Sequence, residues 1–226
     1  MAEVTRRNML GWTALASVAG GAVALTANQA AAAAVKAATA QGPMTVSERA
    51  RKRIQQQHLP NVPLVTHEGK QVRFYDDLVK GKIVTMNFFY TRCDEICPGV
   101  TANLAEVQKL LGADFGTKVQ MYSLSLKPEE DDVPTIRKYR EMFHAQEGWT
   151  FLTGKPEHME EIRRGIGFKY PEPAIDKDKT QHIGNVRYGN EPLMLWAACP
   201  GLANAKYLAE TISWMVRPET NRIQKS

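Results

Sequence analysis

The chain has 226 residues, 43% hydrophobic and 23% charged, a balance that suits one globular domain with a tail and excludes both wholesale disorder and a multi-span membrane protein. Of the net charge of +5, residues 1–40 hold Arg6, Arg7 and Lys36 against Glu3, an excess of two, so the remainder carries +3. No dense Lys/Arg stripe interleaved with aromatics is present, which argues against nucleic acid as a partner.

Residues 1–40 read as an export address. Thr5-Arg6-Arg7-Asn8-Met9-Leu10 sets two consecutive arginines before a mildly apolar stretch that reaches Ala27, and an alanine-rich run with A-x-A sites follows. That is the layout of a twin-arginine signal, although Met9 and Gly11 stand where the pattern prefers Phe and Lys. A spanning helix needs about 20 strongly apolar residues, and this centre is more dilute. Cleavage and a periplasmic location are therefore expected, with inner-membrane anchoring if the signal is kept. Residues 41–61 read as a linker or short helix, in which Arg49, Arg51, Lys52 and Arg53 form a solvated helix face or a membrane-proximal segment. Residues 62–226 then form the folded domain.

Within that domain, Val62 to Thr66 and Lys70 to Tyr75 are extended stretches joined at His67-Glu68-Gly69, which predicts an N-terminal hairpin. Lys82 to Tyr90 is a nearly unbroken β-branched and aromatic run, as expected of a strand buried on both faces. Pro98 sits just inside a helix start, and Val100, Leu104, Val107, Leu110 and Leu111 recur at helical spacing up to Gly112. Strands at 119–126 and 149–152 alternate with helices at 134–143 and 157–166, a pattern of parallel βαβ units. A hairpin of 183–188 and 193–196, turning across Gly189-Asn190-Glu191-Pro192, and a helix over 202–216 complete an α/β, thioredoxin-like plan: a central mixed sheet flanked by helices.

Three cysteines are too few for a disulfide scaffold, and an odd number leaves at least one thiol without an intramolecular partner, so their role is expected to be chemical. Cys93 and Cys97 lie at i and i+4 where the buried strand hands over to its helix, at the end of an α/β sheet where sites collect. If that segment is helical, the sulfurs share a face within about 5 to 6 Å, close enough for one metal ion to bridge them. The positive end of the helix favours the thiolate, which either binds metal or attacks disulfides. The extra residue relative to C-x-x-C suits a soft-metal clamp, and the redox use stays open. Cys199 reads as a small, half-buried residue opening the last helix. His58, His67, His144 and His158 read as surface residues, and Asp176 and Asp178, among lysines, as solvated.

Phe88-Phe89-Tyr90-Thr91-Arg92-Cys93-Asp94-Glu95-Ile96-Cys97-Pro98 resembles the signature of the Sco/SenC family of copper-binding, thioredoxin-like proteins, in which an aromatic strand leads into C-x-x-x-C-P. Ser125 to Asp132, followed by a Pro-started helix, resembles the family's segment after its next strand. His182 falls where that family supplies an imidazole ligand. Asp94, Gln181 and the Tyr188-Gly189-Asn190-Glu191 turn depart from the family pattern and mark a divergent branch.

The resemblance implies copper held by Cys93, Cys97 and His182. Two thiolates and a neutral imidazole suit Cu(I), and an added oxygen or water would extend the set to Cu(II). It also implies a metallochaperone whose partner is the copper-receiving subunit of a respiratory oxidase or another exported copper protein. The alternative is a thiol-disulfide oxidoreductase, with Cys93 and Cys97 as redox-active thiols reducing the cysteines of a target.

Overall fold

The computed structural model describes residues 47–178 and 184–216. The expected export segment and His182 lie outside the described residues. Ser47 opens the first helix, α1 (Glu48–His58), accepting from the Ala50 N–H at 3.3 Å. Part of the stretch read as a linker or short helix is therefore helical, and Arg51 on it is not simply solvated. Its Nη1 donates to Glu191 Oε1 at 2.6 Å and to the Glu191 carbonyl at 2.9 Å. The same carboxylate, 2% exposed, also accepts from the Tyr75 hydroxyl and the Gly81 N–H. Arg51 thus ties α1 to a buried acceptor that three separate segments share.

The chain then builds a seven-stranded sheet in the order β2-β1-β5-β4-β3-β6-β7. The strands are β1 (Pro63–Thr66), β2 (Gln71–Arg73), β3 (Ile83–Phe89), β4 (Val119–Ser125), β5 (Trp149–Thr153), β6 (Asn185–Asn190) and β7 (Leu195–Pro200). β3, β4 and β5 run parallel, while β1 pairs antiparallel with β2 and β5, and β6 pairs antiparallel with β3 and β7. Each parallel step needs a crossover, supplied by α2 (Ile96–Leu111) and α3 (Val133–Met142). Asp132 caps α3, accepting from the Thr135 N–H at 2.9 Å, and Pro134 occupies its first turn. α4 (Pro156–Gly165) and the short α5 (Pro173–Lys177) lead back towards β6, and α6 (Ala205–Val216) is the last described helix.

β3 lies in the interior of the sheet and is buried along almost its whole length, which is what its unbroken apolar run required. Alternate residues feed opposite faces: Phe89 stacks on Tyr139 of α3, with ring centroids 5.1 Å apart, and Phe88 meets Phe168 edge-on at 5.0 Å. The one amide in the strand is satisfied internally, because Trp149 Nε1 donates to Ser123 Oγ at 2.9 Å and Ser123 Oγ donates to Asn87 Oδ1 at 2.7 Å.

Two local expectations are corrected. The C-terminal hairpin is shifted along the chain: a 3-10 turn at Glu191–Leu193 separates β6 from β7, and Cys199 lies within β7 opposite Val186. The last helix starts later because Asn204, not Pro200, opens it, its Oδ1 accepting from the Lys206 N–H at 2.9 Å.

Asp176 is a further correction. It is 6% exposed rather than solvated, and its two oxygens accept from Arg163 Nη1 and Nη2 at 2.7 and 2.8 Å. Those guanidinium hydrogen bonds, helped by the Tyr170 N–H and opposed by burial, hold its carboxyl well below the usual carboxylate range. A carboxyl depressed by folding contributes stability above its unfolded pKa and loses it as pH falls through the folded one. Asp176→Asn is expected to cost about 2 kcal/mol, because the buried Arg163 loses one of the two carboxylates that pair it and keeps only Glu160. Denaturant unfolding should show that deficit unchanged from neutral pH down to about pH 4 and closing only in stronger acid.

Candidate metal centre

β3 ends at Phe89 and the chain turns at once, the Cys93 N–H donating to the Tyr90 carbonyl at 3.2 Å. A buried carboxylate fixes the turn. Asp131 accepts from the Thr91 N–H at 3.1 Å and the Thr91 hydroxyl at 2.6 Å with one oxygen, and from the Ser125 hydroxyl at 2.5 Å with the other. The loop leaving β3 is thereby tied to the end of β4. Burial raises the Asp131 carboxyl above the usual range while these three donors oppose the rise. Lys127 lies 4.5 Å from the centre of the Tyr90 ring and pairs with Glu130 at 3.7 Å.

Cys93 and Cys97 are brought together, though not by sharing a helical face. α2 begins at Ile96, so Cys97 stands in its first turn while Cys93 precedes it in the loop. The helix has no side-chain cap. The Cys93 sulfur instead receives hydrogen bonds from the Glu95 and Cys97 backbones and from the side chains of Cys97 and Tyr90. Burial pushes the Cys93 thiol up, but these donors prevail and its pKa falls below the ordinary thiol value. Burial drives the Cys97 thiol strongly upward, and donating to Cys93 adds to the rise, which a hydrogen bond with the Tyr90 backbone only partly opposes. The site is an asymmetric pair of free thiols, Cys93 pushed towards the thiolate and Cys97 away from it.

Cys199 is a buried free thiol whose pKa burial raises. His67, expected at the surface, is 8% exposed because its Nδ1 accepts from the Phe151 N–H at 3.3 Å, seating the ring beside β5. Burial lowers its pKa. Among the described residues no group of three or more His, Cys, Asp and Glu is arranged to hold a metal ion. Two residues that shape the site were not identified from the sequence: Tyr90, whose place three positions before Cys93 was the available signal, and Asp131, hidden in the acidic run Glu129 to Asp132.

The sheet order, the crossover helices and the thiols at the start of α2 define a thioredoxin-like domain with a dithiol site. The SCO1/SenC family model matches residues 50–216, and the chain belongs to that family. It is 33% identical to the SCO1 protein homolog of Bacillus subtilis over 88 residues, 38% of this chain and 44% of that protein. The structure of Arabidopsis thaliana ScoI with copper bound is similar at a TM-score of 0.56 and 22% identity, covering 69% of this chain and 96% of that one. That of BsSco, described as a Sco-family cytochrome c oxidase assembly protein with a disulfide switch, matches at a TM-score of 0.56 and 23% identity, covering 69% and 91%. The chain spans under half the length of the first curated relatives it matches.

The asymmetry predicts selective chemistry. Iodoacetamide should modify Cys93 well before Cys97, as peptide mass mapping would register. Tyr90→Phe removes a donor to the thiolate, so the pH midpoint of Cys93 alkylation should rise. Asp131→Ala leaves the Thr91 and Ser125 donors without their acceptor, and a loss of about 3 kcal/mol is expected in denaturant unfolding.

Proposed function

We propose that this protein is an exported copper metallochaperone that holds one copper ion through Cys93, Cys97 and His182 and delivers it to a copper site under assembly in a respiratory oxidase. Copper is cargo in this reading. The observation that carries it is the placement of Gly184 against α2: a Cβ built on Gly184 would fall 2.3 Å from Ile96 Cδ1, beside Cys97. His182 is two residues earlier in the chain, and two extended residues span about 7 Å, a tether short enough to be compatible with ligation by His182 in this reading. Two sulfurs and an imidazole form a soft donor set suited to Cu(I). The family's copper-bound member and its oxidase-assembly member support the same reading. The twin-arginine pattern of residues 1–40 supports export to the periplasm.

The chemistry assigned to these residues follows from the electrostatics. Cys93, already favoured as thiolate, meets the ion first, and Cys97 releases its proton as the sulfur binds. Tyr90 and the backbone donors hold the Cys93 sulfur in place throughout. A second reading, disulfide exchange on a partner's cysteines, is favoured by the same unequal thiols: the Cys93 thiolate attacks a disulfide sulfur, and Cys97 then resolves the mixed disulfide, releasing the partner as a dithiol.

Anaerobic Cu(I) titration of the reduced protein against a competing chelator should give one ion per chain. Cys93→Ser, Cys97→Ser and His182→Ala should each weaken binding at least about tenfold. A wild type without Cu(I) affinity would remove the carrier reading, and undiminished disulfide exchange in His182→Ala without copper would support the catalyst.

A further inference from the structure

The basic run of α1 takes no part in the thiol chemistry, and its side chains divide around the helix axis. Successive residues turn by about 100°, so Arg51, Ile54 and His58 share one side and Arg49, Lys52, Arg53 and Gln56 the opposite one. The first side rests on the domain. Arg51 reaches Glu191, Ile54 lines a cavity with Ile166 and Trp196, and His58 Nδ1 lies 3.1 Å from the Gly165 carbonyl. The four residues of the second side are all exposed.

Among the described residues none of the three cations on that outward side forms an ion pair. Glu48, the only carboxylate of α1, lies about 90° round the axis from their mean direction. Arg49 stands three positions from Lys52 and four from Arg53, spacings at which like charges repel and weaken a helix. The helix is nevertheless fixed in this orientation, because Arg51 is committed to the buried carboxylate of Glu191. The fold therefore presents an uncompensated positive face on a rigid support.

The chemistry of that face selects what covers it. A protein interface is built around an apolar centre, and the outward side of α1 has no apolar residue. Ile54 points inward, so the helix does not wedge into acyl chains as an amphipathic anchor does. Anionic headgroups require only charge. Placement agrees with this. The Glu191 N–H donates to the Lys82 carbonyl at 3.0 Å, one residue before β3 begins, whereas Cys93 follows the other end of that strand. Seven strand residues span about 20 Å, so the support of α1 and the thiols lie at opposite ends of the sheet.

We propose that the outward side of α1 rests on the anionic headgroups of a lipid bilayer, with Arg49, Lys52 and Arg53 as the contacts, and leaves the thiol end open to a partner. No sulfur takes part, so the assignment stands or falls separately from the copper reading.

The full chain is mixed with phosphatidylcholine vesicles, with and without about 30 mol % phosphatidylglycerol, and the bound fraction is measured by sedimentation. Binding should require phosphatidylglycerol and should disappear on raising salt from about 0.05 to about 0.5 M. Each Lys or Arg at an anionic surface strengthens binding about fivefold, so the triple variant Arg49→Gln, Lys52→Gln, Arg53→Gln should bind about a hundredfold more weakly. Two further variants separate position from net charge. Arg49→Lys with Arg53→Lys should bind as wild type does, because charge alone is recognised. Lys138→Gln, Lys155→Gln and Lys169→Gln, which remove the same charge from exposed positions on other segments, should also leave binding unchanged. Thermal midpoints serve as the folding control. Equal binding to the two kinds of vesicle, a triple α1 variant that binds as wild type does, or an equal loss in the second triple variant would overturn the assignment and leave the face to an acidic protein.

Discussion

The carboxylate of Asp131 is the constraint on which the thiol site depends. It has no exposure to solvent, and it receives its hydrogen bonds from Thr91 on one side and Ser125 on the other. Burying a carboxylate is costly unless donors surround it, and here those donors belong to the two segments that must be held together. The loop that carries Cys93 is fixed against the end of β4 before any metal or partner arrives. The same constraint orients the start of α2, since Cys93 lies only three residues before Ile96.

What the thiols do follows from their inequality. A pair of equivalent sulfurs would share a proton evenly, whereas here burial and hydrogen bonding push the two in opposite directions. A soft cation and an incoming disulfide are both met first by a thiolate, and Cys93 is the sulfur pushed towards that state. The two proposed uses, delivery and exchange, would therefore both start at Cys93.

Much of this was legible in the sequence because it came from periodicity. The buried run of β3, the spacing of α2 and the alternation of strands with helices each repeat over many residues, and the structure reproduces them within a residue or two at most ends. The cysteines were legible because their spacing is itself a chemical statement. What escaped were polar residues whose role depends on a distant partner. Asp131 looked like its acidic neighbours, Asp176 like a loop charge among lysines and Arg51 like part of a basic helix face. Each is matched outside its own turn, Asp176 to Arg163 13 positions away, Asp131 to Thr91 40 away and Arg51 to Glu191 140 away. The C-terminal hairpin was misplaced for a local reason, because Gly189 and Pro192 resemble the centre of a tight turn while Gly189 lies in a strand.

The uncapped start of α2 has a further consequence. Helices commonly begin on an oxygen of Ser, Thr, Asp or Asn, whose hydrogen-bonding capacity is fixed, but this one begins on the sulfur of Cys93, whose charge is variable. A thiolate anchors the opening amides firmly, whereas a sulfur engaged in a disulfide accepts hydrogen bonds only feebly. The amide of Cys97 at the helix origin is thus held by the same atom that gives the site its reactivity, so backbone and chemistry share one sulfur.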